Sequence, residues 1–229
     1  MRAPSLILVL AAVALLAGCG GGGRSAKANG EASKSPGKVL ADAKAAVSSA
    51  SSVHVSGSIH YGGNPITLDI SMATGKGATG SMTTSGFAFD LVQIGNIAYI
   101  KGSDQFYKHF AGPAASLLHG KWLKTPTTSG RFASLAALTN IGVLFGQVAS
   151  HHGKLANDGA KTYKGQQVVE IRDTSDNSKL YVAATGKAYP VALVGGKKSE
   201  SGTIAFSDWN KSVSLSAPKG ALDISKLGG

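Results

Sequence analysis

The sequence predicts an α+β protein: a curved, mostly antiparallel sheet of about ten or eleven strands, a half-barrel, with helices packed on its concave face. Three observations predict it. From Val53 onward, apolar and polar residues alternate in short segments separated by Gly- and Asn-containing turns, the pattern of half-buried strands joined by hairpins. Only two regions carry a helical apolar period, near residues 36–47 and 130–150. A sheet this wide, with two helical regions to cover one side, should curl around them.

The first helix opens at Ser35-Pro36, where Ser35 can accept from unpaired backbone N–H groups and proline suits the first helical position. Val39, Leu40, Ala43, Ala46 and Val47 form one apolar stripe. The helix fades in the serine-rich stretch 48–52. Val53, Val55, Gly57, Ile59 and Tyr61 then alternate with His54, Ser56, Ser58 and His60. A turn at 62–65 leads to Ile66, Leu68, Ile70 and Met72, again in alternation. Residues 76–84 make a weaker, glycine-rich strand. A fourth runs from Phe87 through Phe89 and Leu91 to Ile94. Gly95-Asn96 turns it into a return strand over 97–101, with Tyr99 and Ile100. A further short strand is expected over 104–110, a short helix over 113–118 and a strand over 120–124.

The longest apolar helical segment is 130–150, where Phe132, Leu135, Leu138, Ile141, Leu144, Phe145 and Val148 recur at helical spacing; Asn140 and Gly142 divide it. Strands resume at 161–173, 179–185, 188–195, 202–208 and 212–216, with turn chemistry at Gly186-Lys187 and Gly195-Gly196. Trp122 and Trp209 are expected as core anchors.

The amino terminus has a different logic. Arg2 precedes an unbroken apolar run from Leu6 to Leu16, followed by Ala17, Gly18 and the single cysteine, Cys19. That is the layout of a secretory signal peptide, and the run is about half the ~20 residues a transmembrane helix needs. Leu16-Ala17-Gly18-Cys19 resembles the bacterial lipobox. The resemblance implies that Cys19 is the site of lipidation, cleavage falling just before it. The expected organisation is a signal peptide over 1–18, a lipidated flexible linker over 19–35 and one domain over 36–229. The linker would let that domain stand ~20 Å from the bilayer. With one cysteine, the mature chain has no internal disulfide, so its stability must come from packing.

The net charge is +11, with 23 Lys and Arg against 12 Asp and Glu, and only 15% of residues are charged. The basic excess thus reflects scarce acids. It favours anionic head groups over nucleic acid, for which no run of basic residues exists.

Several segments together resemble the LppX/LprAFG-type lipoproteins of mycobacteria and relatives, whose fold is akin to the carriers LolA and LolB. They are the cysteine, polar linker and Ala-rich helix; 52–57 (SVHVSG); 97–101 (IAYIK) and 120–122 (GKW); 161–168 (KTYKGQQV); 180–186 (LYVAATG) with 189–191 (YPV); and 206–209 (FSDW) before Ala217-Pro218. The resemblance spans nearly the whole mature chain. It implies binding rather than turnover: a lipoprotein at the extracytoplasmic face of the cell membrane that presents or transports acylated lipids or glycolipids in an apolar cavity. An envelope transporter is the implied partner, and no cofactor is expected. The candidate lining is Phe132, Leu135, Leu138, Ile141, Leu144 and Phe145 from the helix, with Phe87, Phe89, Leu91, Tyr99 and Ile100 from the sheet. Strand parity leaves open which of those five face inward. The competing reading is a protein-binding or scaffolding lipoprotein with a filled core.

Catalytic motifs are missing: there is no Gly-x-Ser-x-Gly elbow and no phosphate loop. His151-His152 lack acidic or cysteine neighbours, so no metal is expected there. His54 and His60 fall on the polar parity of a strand. His109 and His119 have no evident partner in sequence, and Asp173 with Asp176 fits a turn better than a calcium loop.

Overall fold

The computed structural model describes residues 27–61, 64–128, 133–196 and 201–225, without the side chains of Ser134, Leu138, Thr139, Gln147 and Val148. The expected signal peptide, Cys19, the first part of the expected linker, the turn glycines Gly62 and Gly63, and Phe132 lie outside the described residues.

Helix α1 spans Pro36–Ser48, and its buried residues are the apolar stripe Val39, Leu40, Ala43, Ala46 and Val47. The Ser35 side chain makes no capping bond; its carbonyl accepts the N–H groups of Lys38 and Val39 instead, at 3.0 and 3.1 Å. Five strands follow: β1 (Ser52–Tyr61), β2 (Asn64–Ala73), β3 (Gly77–Thr84), β4 (Phe87–Ile94) and β5 (Ile97–Gly102).

The segment expected as a strand over 104–110 is a helix, α2 (Asp104–Ala111). Ser103 caps it, its Oγ accepting from the Phe106 N–H at 3.3 Å. Asp104 in the first turn and Lys108 and His109 in the last complement the helix dipole. A short helix α3 (Ala115–Leu118) and strand β6 (Leu123–Pro126) come next.

The long apolar segment is two pieces, a 3-10 helix (Ala133–Thr139) and helix α4 (Ile141–Val148). The break is at Asn140, whose Oδ1 accepts the Val143 N–H at 3.1 Å and so caps α4. The single strand expected over 161–173 is a hairpin, β7 (Leu155–Tyr163) and β8 (Gln166–Asp173). Lys164 and Gly165 form its turn with φ of 47° and 82°, the two-residue geometry that matches strand twist. Strands β9 (Lys179–Ala183), β10 (Pro190–Gly195), β11 (Gly202–Ser207) and β12 (Leu222–Asp223) complete the chain; the strand expected over 212–216 is irregular.

The twelve strands among the described residues form one open sheet in the order β12-β6-β5-β4-β3-β2-β1-β11-β10-β9-β8-β7. Every pairing is antiparallel except β12 with β6. Two meanders, β1 to β6 and β7 to β11, are stitched together by β1 and β11, where Val55 faces Phe206.

Inward side chains from eight adjacent strands, β3 through β7 in sheet order, surround one cavity. A flat sheet would set the outermost two of these roughly 34 Å apart. The sheet is therefore curled, and α1 and α4 pack together in its hollow, with α1 also against β7 and β8.

The same concave face carries two apolar clusters. One joins α1 and α4 to β1, β2 and β8 to β11. The other lies further along the sheet, where Phe106 and Tyr107 of α2 pack on Leu91, Ala98, Ile100 and Leu123. In the second cluster Tyr107 is tied at its hydroxyl, which accepts the Gly102 N–H and donates to the Lys121 carbonyl. Burial pushes that phenol's pKa up.

Candidate functional site

Between the sheet and α4 lies a cavity of about 500 Å³. Its walls are set by strand parity. Val55 and Ile59 of β1 face it, with Leu68, Ile70 and Met72 of β2 and Met82 of β3 on one side. Ile204 and Phe206 of β11, Leu193 of β10, Leu180 of β9 and Ile171 of β8 line the other. The helices roof it with Leu40 from α1 and Ile141, Leu144 and Phe145 from α4. The Phe145 ring meets Phe206 edge-on at 6.1 Å. Beyond Phe206, Trp209 stacks on Tyr189 at 4.5 Å and donates its indole N–H to the Pro190 carbonyl.

Polar lining is confined to one end. Asp173, Asp176 and Ser178 belong to the β8–β9 turn, and His151 and His152 follow α4. The Asp173 carboxylate accepts from Ser175 Oγ at 2.6 Å, Ser175 N–H at 2.8 Å and Gly153 N–H at 2.5 Å. Those bonds, the Ser175 hydroxyl foremost, hold its pKa below the usual carboxylate value. His152 donates from Nδ1 to the Gly153 carbonyl at 2.8 Å. Among the described residues, no group of three or more His, Cys, Asp or Glu side chains is placed to hold a metal ion.

The structure separates the residues singled out from sequence. Ile141, Leu144 and Phe145 line the cavity. Leu135 packs instead against the α2 cluster, and so do Phe87 and Phe89. Leu91 and Ile100 are buried within that second cluster. These four sheet residues share the concave face with Val55, because β4 and β5 keep its parity through β3, but they sit under a different helix. Tyr99 pairs with Val92 and takes the opposite, convex face. The Leu138 side chain and Phe132 are outside the described set. The wall residues of β8 to β11 were missed; their signal was the alternation of Leu180, Val182 and of Ile204, Phe206, which marks an inward face without saying what it faces.

On the convex face, His54 lies 2.9 Å from Asp69 and 3.2 Å from Ser207. None of the three lines the cavity. The two histidines without a sequence partner have one in space: His119 contacts Asp104 at 2.6 Å, and the His109 ring lies 4.8 Å from that of Phe87.

These features define a class: an α+β half-barrel whose helices cover an apolar hollow on one face of a single curled sheet. Among solved structures it is similar to LprF from Mycobacterium bovis, at 16% identity over 81% of this chain and 97% of that one, with a TM-score of 0.55. Similarity also extends to the Mycobacterium tuberculosis lipoprotein LppX, at 19% identity over 79% of this chain and 99% of that one, with a TM-score of 0.49. No family model and no curated protein matches the sequence. The resemblance to the LppX/LprAFG-type lipoproteins therefore stands at the level of fold, which this chain shares with LprF.

Proposed function

We propose that this protein is a cell-envelope lipoprotein that binds acylated lipids or glycolipids in the cavity under α4 and presents or transports them. The observation that carries the reading is the cavity itself: about 500 Å³ with aliphatic and aromatic walls and polar groups at one end only. Pockets of that size and lining are the normal form of a site for an apolar ligand. The fold shared with a lipoprotein supports the same reading. An unfilled hollow also counts against the alternative of a scaffold with a solid core.

In this reading residues 1–18 are the exported leader, Cys19 carries the acyl anchor and the linker that follows it tethers the domain to the outer face of the cell membrane; the last part of that linker is docked on the domain, with the Asn29 N–H bonding the Ala184 carbonyl at 2.8 Å and Glu31 buried. Two acyl chains hold such a domain firmly, at ~0.8 kcal/mol per buried CH₂. None of the described helices is long and apolar enough to cross a membrane. Ligand exchange with envelope transport machinery is assigned to the polar end of the cavity, beside His151 and His152. The cavity residues act by excluding water from the chain, so no reaction is assigned to them.

The test is native mass spectrometry of the Cys19→Ser protein purified from its own host, with organic extraction of whatever leaves on denaturation. A co-purifying lipid at up to one equivalent is expected. Lipid-free protein in repeated preparations, together with no uptake from vesicles, refutes the proposal.

A further inference from the structure

The segment ahead of α1 is fastened to the domain at one end of the sheet. Ala28 bridges Thr185 in the β9–β10 turn, and the Asn29 N–H bonds the Ala184 carbonyl at 2.8 Å. The Asn29 side-chain amide donates to the Ala183 and Gly186 carbonyls at 2.9 and 3.1 Å. Further on, the buried Glu31 carboxylate accepts from Lys34 Nζ at 2.6 Å, and Asn157 of β7 donates to the Lys34 carbonyl at 2.8 Å. Residues 28–34 thus belong to the domain. Only nine residue steps separate Cys19 from Ala28, a contour of at most ~32 Å.

Strand register and contacts gather four stretches of chain at that end. Tyr163 pairs with Gln166 across the β7–β8 turn, and the Gln167 carbonyl accepts the Ala184 N–H at 3.0 Å. Asn210, just past β11, donates its side-chain amide to the Tyr189 hydroxyl at 2.9 Å and its backbone N–H to the Ser52 carbonyl at 3.0 Å. Ser52 pairs with Ala73, which leads into the β2–β3 turn. The polar end of the cavity is the other end of the sheet. Asp173 lies six residues beyond Gln167 on β8, about 20 Å at strand rise, and Asp176 and Ser178 follow it.

The rim where the linker docks is cationic. Lys76, Lys164, Lys187 and Lys211 stand exposed in its turns. The one acid in those turns, Asp208, pairs with Lys211 at 2.5 Å. No ion pair among the described residues uses Lys76, Lys164 or Lys187. Lys164 lies over the Tyr163 ring, and Lys187 reaches the Tyr189 ring and Ser49 Oγ. The described residues of the other end carry both signs, Asp173 and Asp176 beside Lys154 and Lys179.

We infer that this rim docks on an anionic phospholipid bilayer, so that tether and lysines together hold the polar end of the cavity about 20 Å further from the membrane. This rests on the reading of Cys19 as the acylated anchor and adds an orientation to it. The docking point of the linker and the distribution of charge are independent observations, and both select the same end. Turning the molecule over would use ~20 Å of the ~32 Å contour in passing along β8, and would bring Asp173 and Asp176 to an anionic surface. Each lysine near such a surface strengthens binding by about fivefold. The effect fades within a Debye length, so only the rim in contact contributes. Cargo leaving at the polar end then meets a partner standing off the bilayer, not the lipids of the anchoring membrane.

The test uses the mature chain, residues 19–229, whose single thiol lets Cys19 be joined to a maleimide-bearing phosphatidylethanolamine in vesicles. Lysine acylation by a water-soluble ester, read by peptide mass spectrometry, maps what the bilayer covers. On vesicles of equal parts phosphatidylglycerol and phosphatidylcholine, acylation of Lys76, Lys164 and Lys187 should slow at least about threefold relative to the free protein, with Lys108 and Lys154 unchanged. The slowing should vanish at high salt and on pure phosphatidylcholine. In the uncoupled Cys19→Ser chain, changing Lys76, Lys164 and Lys187 together to Gln should weaken binding to the anionic vesicles roughly 100-fold, while Lys108→Gln with Lys154→Gln should leave it within about twofold. Equal slowing at all five lysines, slowing confined to Lys108 and Lys154, or no slowing at any of them overturns the docking surface; the anchor reading stands if the Cys19 peptide of the host-purified protein carries acyl chains. A host peptide with unmodified Cys19 overturns the anchor reading and the orientation built on it, whatever the vesicles show.

Discussion

Phe106 and Phe145 are equally buried, each 3% exposed, yet truncating them should cost very different amounts. Phe106 is enclosed on all sides. Its ring sits 5.6 Å from Phe89, 5.7 Å from Tyr107 and 4.4 Å from Phe110. It also presses on Gly102, where an added Cβ would come 2.2 Å from its Cδ1. Phe106→Ala removes a fully surrounded ring, and such changes cost roughly 3–5 kcal/mol. Phe145 contacts Phe206 at one side and lines the cavity at the other. A side chain bordering a void already lacks partner atoms there, so its removal forfeits fewer dispersion contacts. We expect Phe145→Ala to cost about 2 kcal/mol, leaving a gap of about 2 kcal/mol between the variants. For a domain of this size that gap is ~4–8 °C in Tm. The assay is equilibrium unfolding in urea of lipid-free protein with Cys19→Ser in both backgrounds, with unchanged m values as the check on two-state comparison. Equal costs, or a larger one at Phe145, would mean that the hollow is filled in solution, and the lipid-binding reading would lose the observation that carries it.

Gly57→Ala should destabilise by at least ~3 kcal/mol, because φ is +145° and the added Cβ would lie 2.0 Å from the Thr203 carbonyl oxygen. Gly37→Ala, in the first turn of α1 with nothing within 4 Å, should instead stabilise by ~0.5–1 kcal/mol in the same melts. Burial first, and then the Glu170 carboxylate, pushes the Tyr181 phenol up to about 12. Its native form holds a proton that the unfolded chain releases near pH 10, so its contribution is intact below pH 10 and lost between pH 10 and 12. Absorbance at 295 nm should show a late-titrating tyrosine that Tyr181→Phe removes. Asp158, held by Arg172 Nε at 2.6 Å, and Asp173, held by Ser175, both titrate below the usual carboxylate value. Their contribution is present above about pH 4 and lost as pH falls through the native values, so acid unfolding of Asp158→Asn and Asp173→Asn should be less steep than that of the parent.

Much of the architecture was legible because burial imposes a period. Val39 to Val47 mark the inner stripe of α1, and Val53 to Ile59 the inner face of β1, with no tertiary information needed. Helix α2 was misread because Phe106, Tyr107 and Phe110 suit a short strand equally well; the deciding signal was Ser103-Asp104, a cap whose hydroxyl bond to Phe106 exists only once the helix forms. The site was less legible for a reason of distance. Parity within each strand leaves open whether Leu91 and Ile100 face the side that Val55 faces; strand register joins the three on one face, and sheet order puts the first two under α2 and the third under α4. That order turns on the pairing of β1 with β11, residues about 150 apart, for which no local pattern exists.

Why one half of the concave face is solid and the other hollow can nonetheless be traced to residue types. The α2 half is packed with Phe87, Phe89, Phe106, Tyr107 and Phe110, rings that meet one another at 4.4–6.4 Å. The α4 half is walled mostly by aliphatic side chains. Several of its inward positions carry no side chain, among them Gly57, between Val55 and Ile59 and opposite Leu68, Gly80, opposite Ile70 and Leu91, and Gly202, opposite Ile59. At Gly57 and Gly80, φ is strongly positive, +145° and +152°, and an added Cβ would point at the neighbouring strand, 2.0 Å from a carbonyl oxygen. Gly57 is level with Leu68, which lines the cavity. An aromatic placed at Leu68 should fill the cavity there while leaving the α2 cluster untouched, and hydrogen exchange of β4 and β5 in Leu68→Trp should match the parent even as lipid uptake from vesicles is lost. Exchange that rises in β4 and β5 together with that loss would show that the two halves are coupled, and the division of the face into a packed part and a binding part would be wrong.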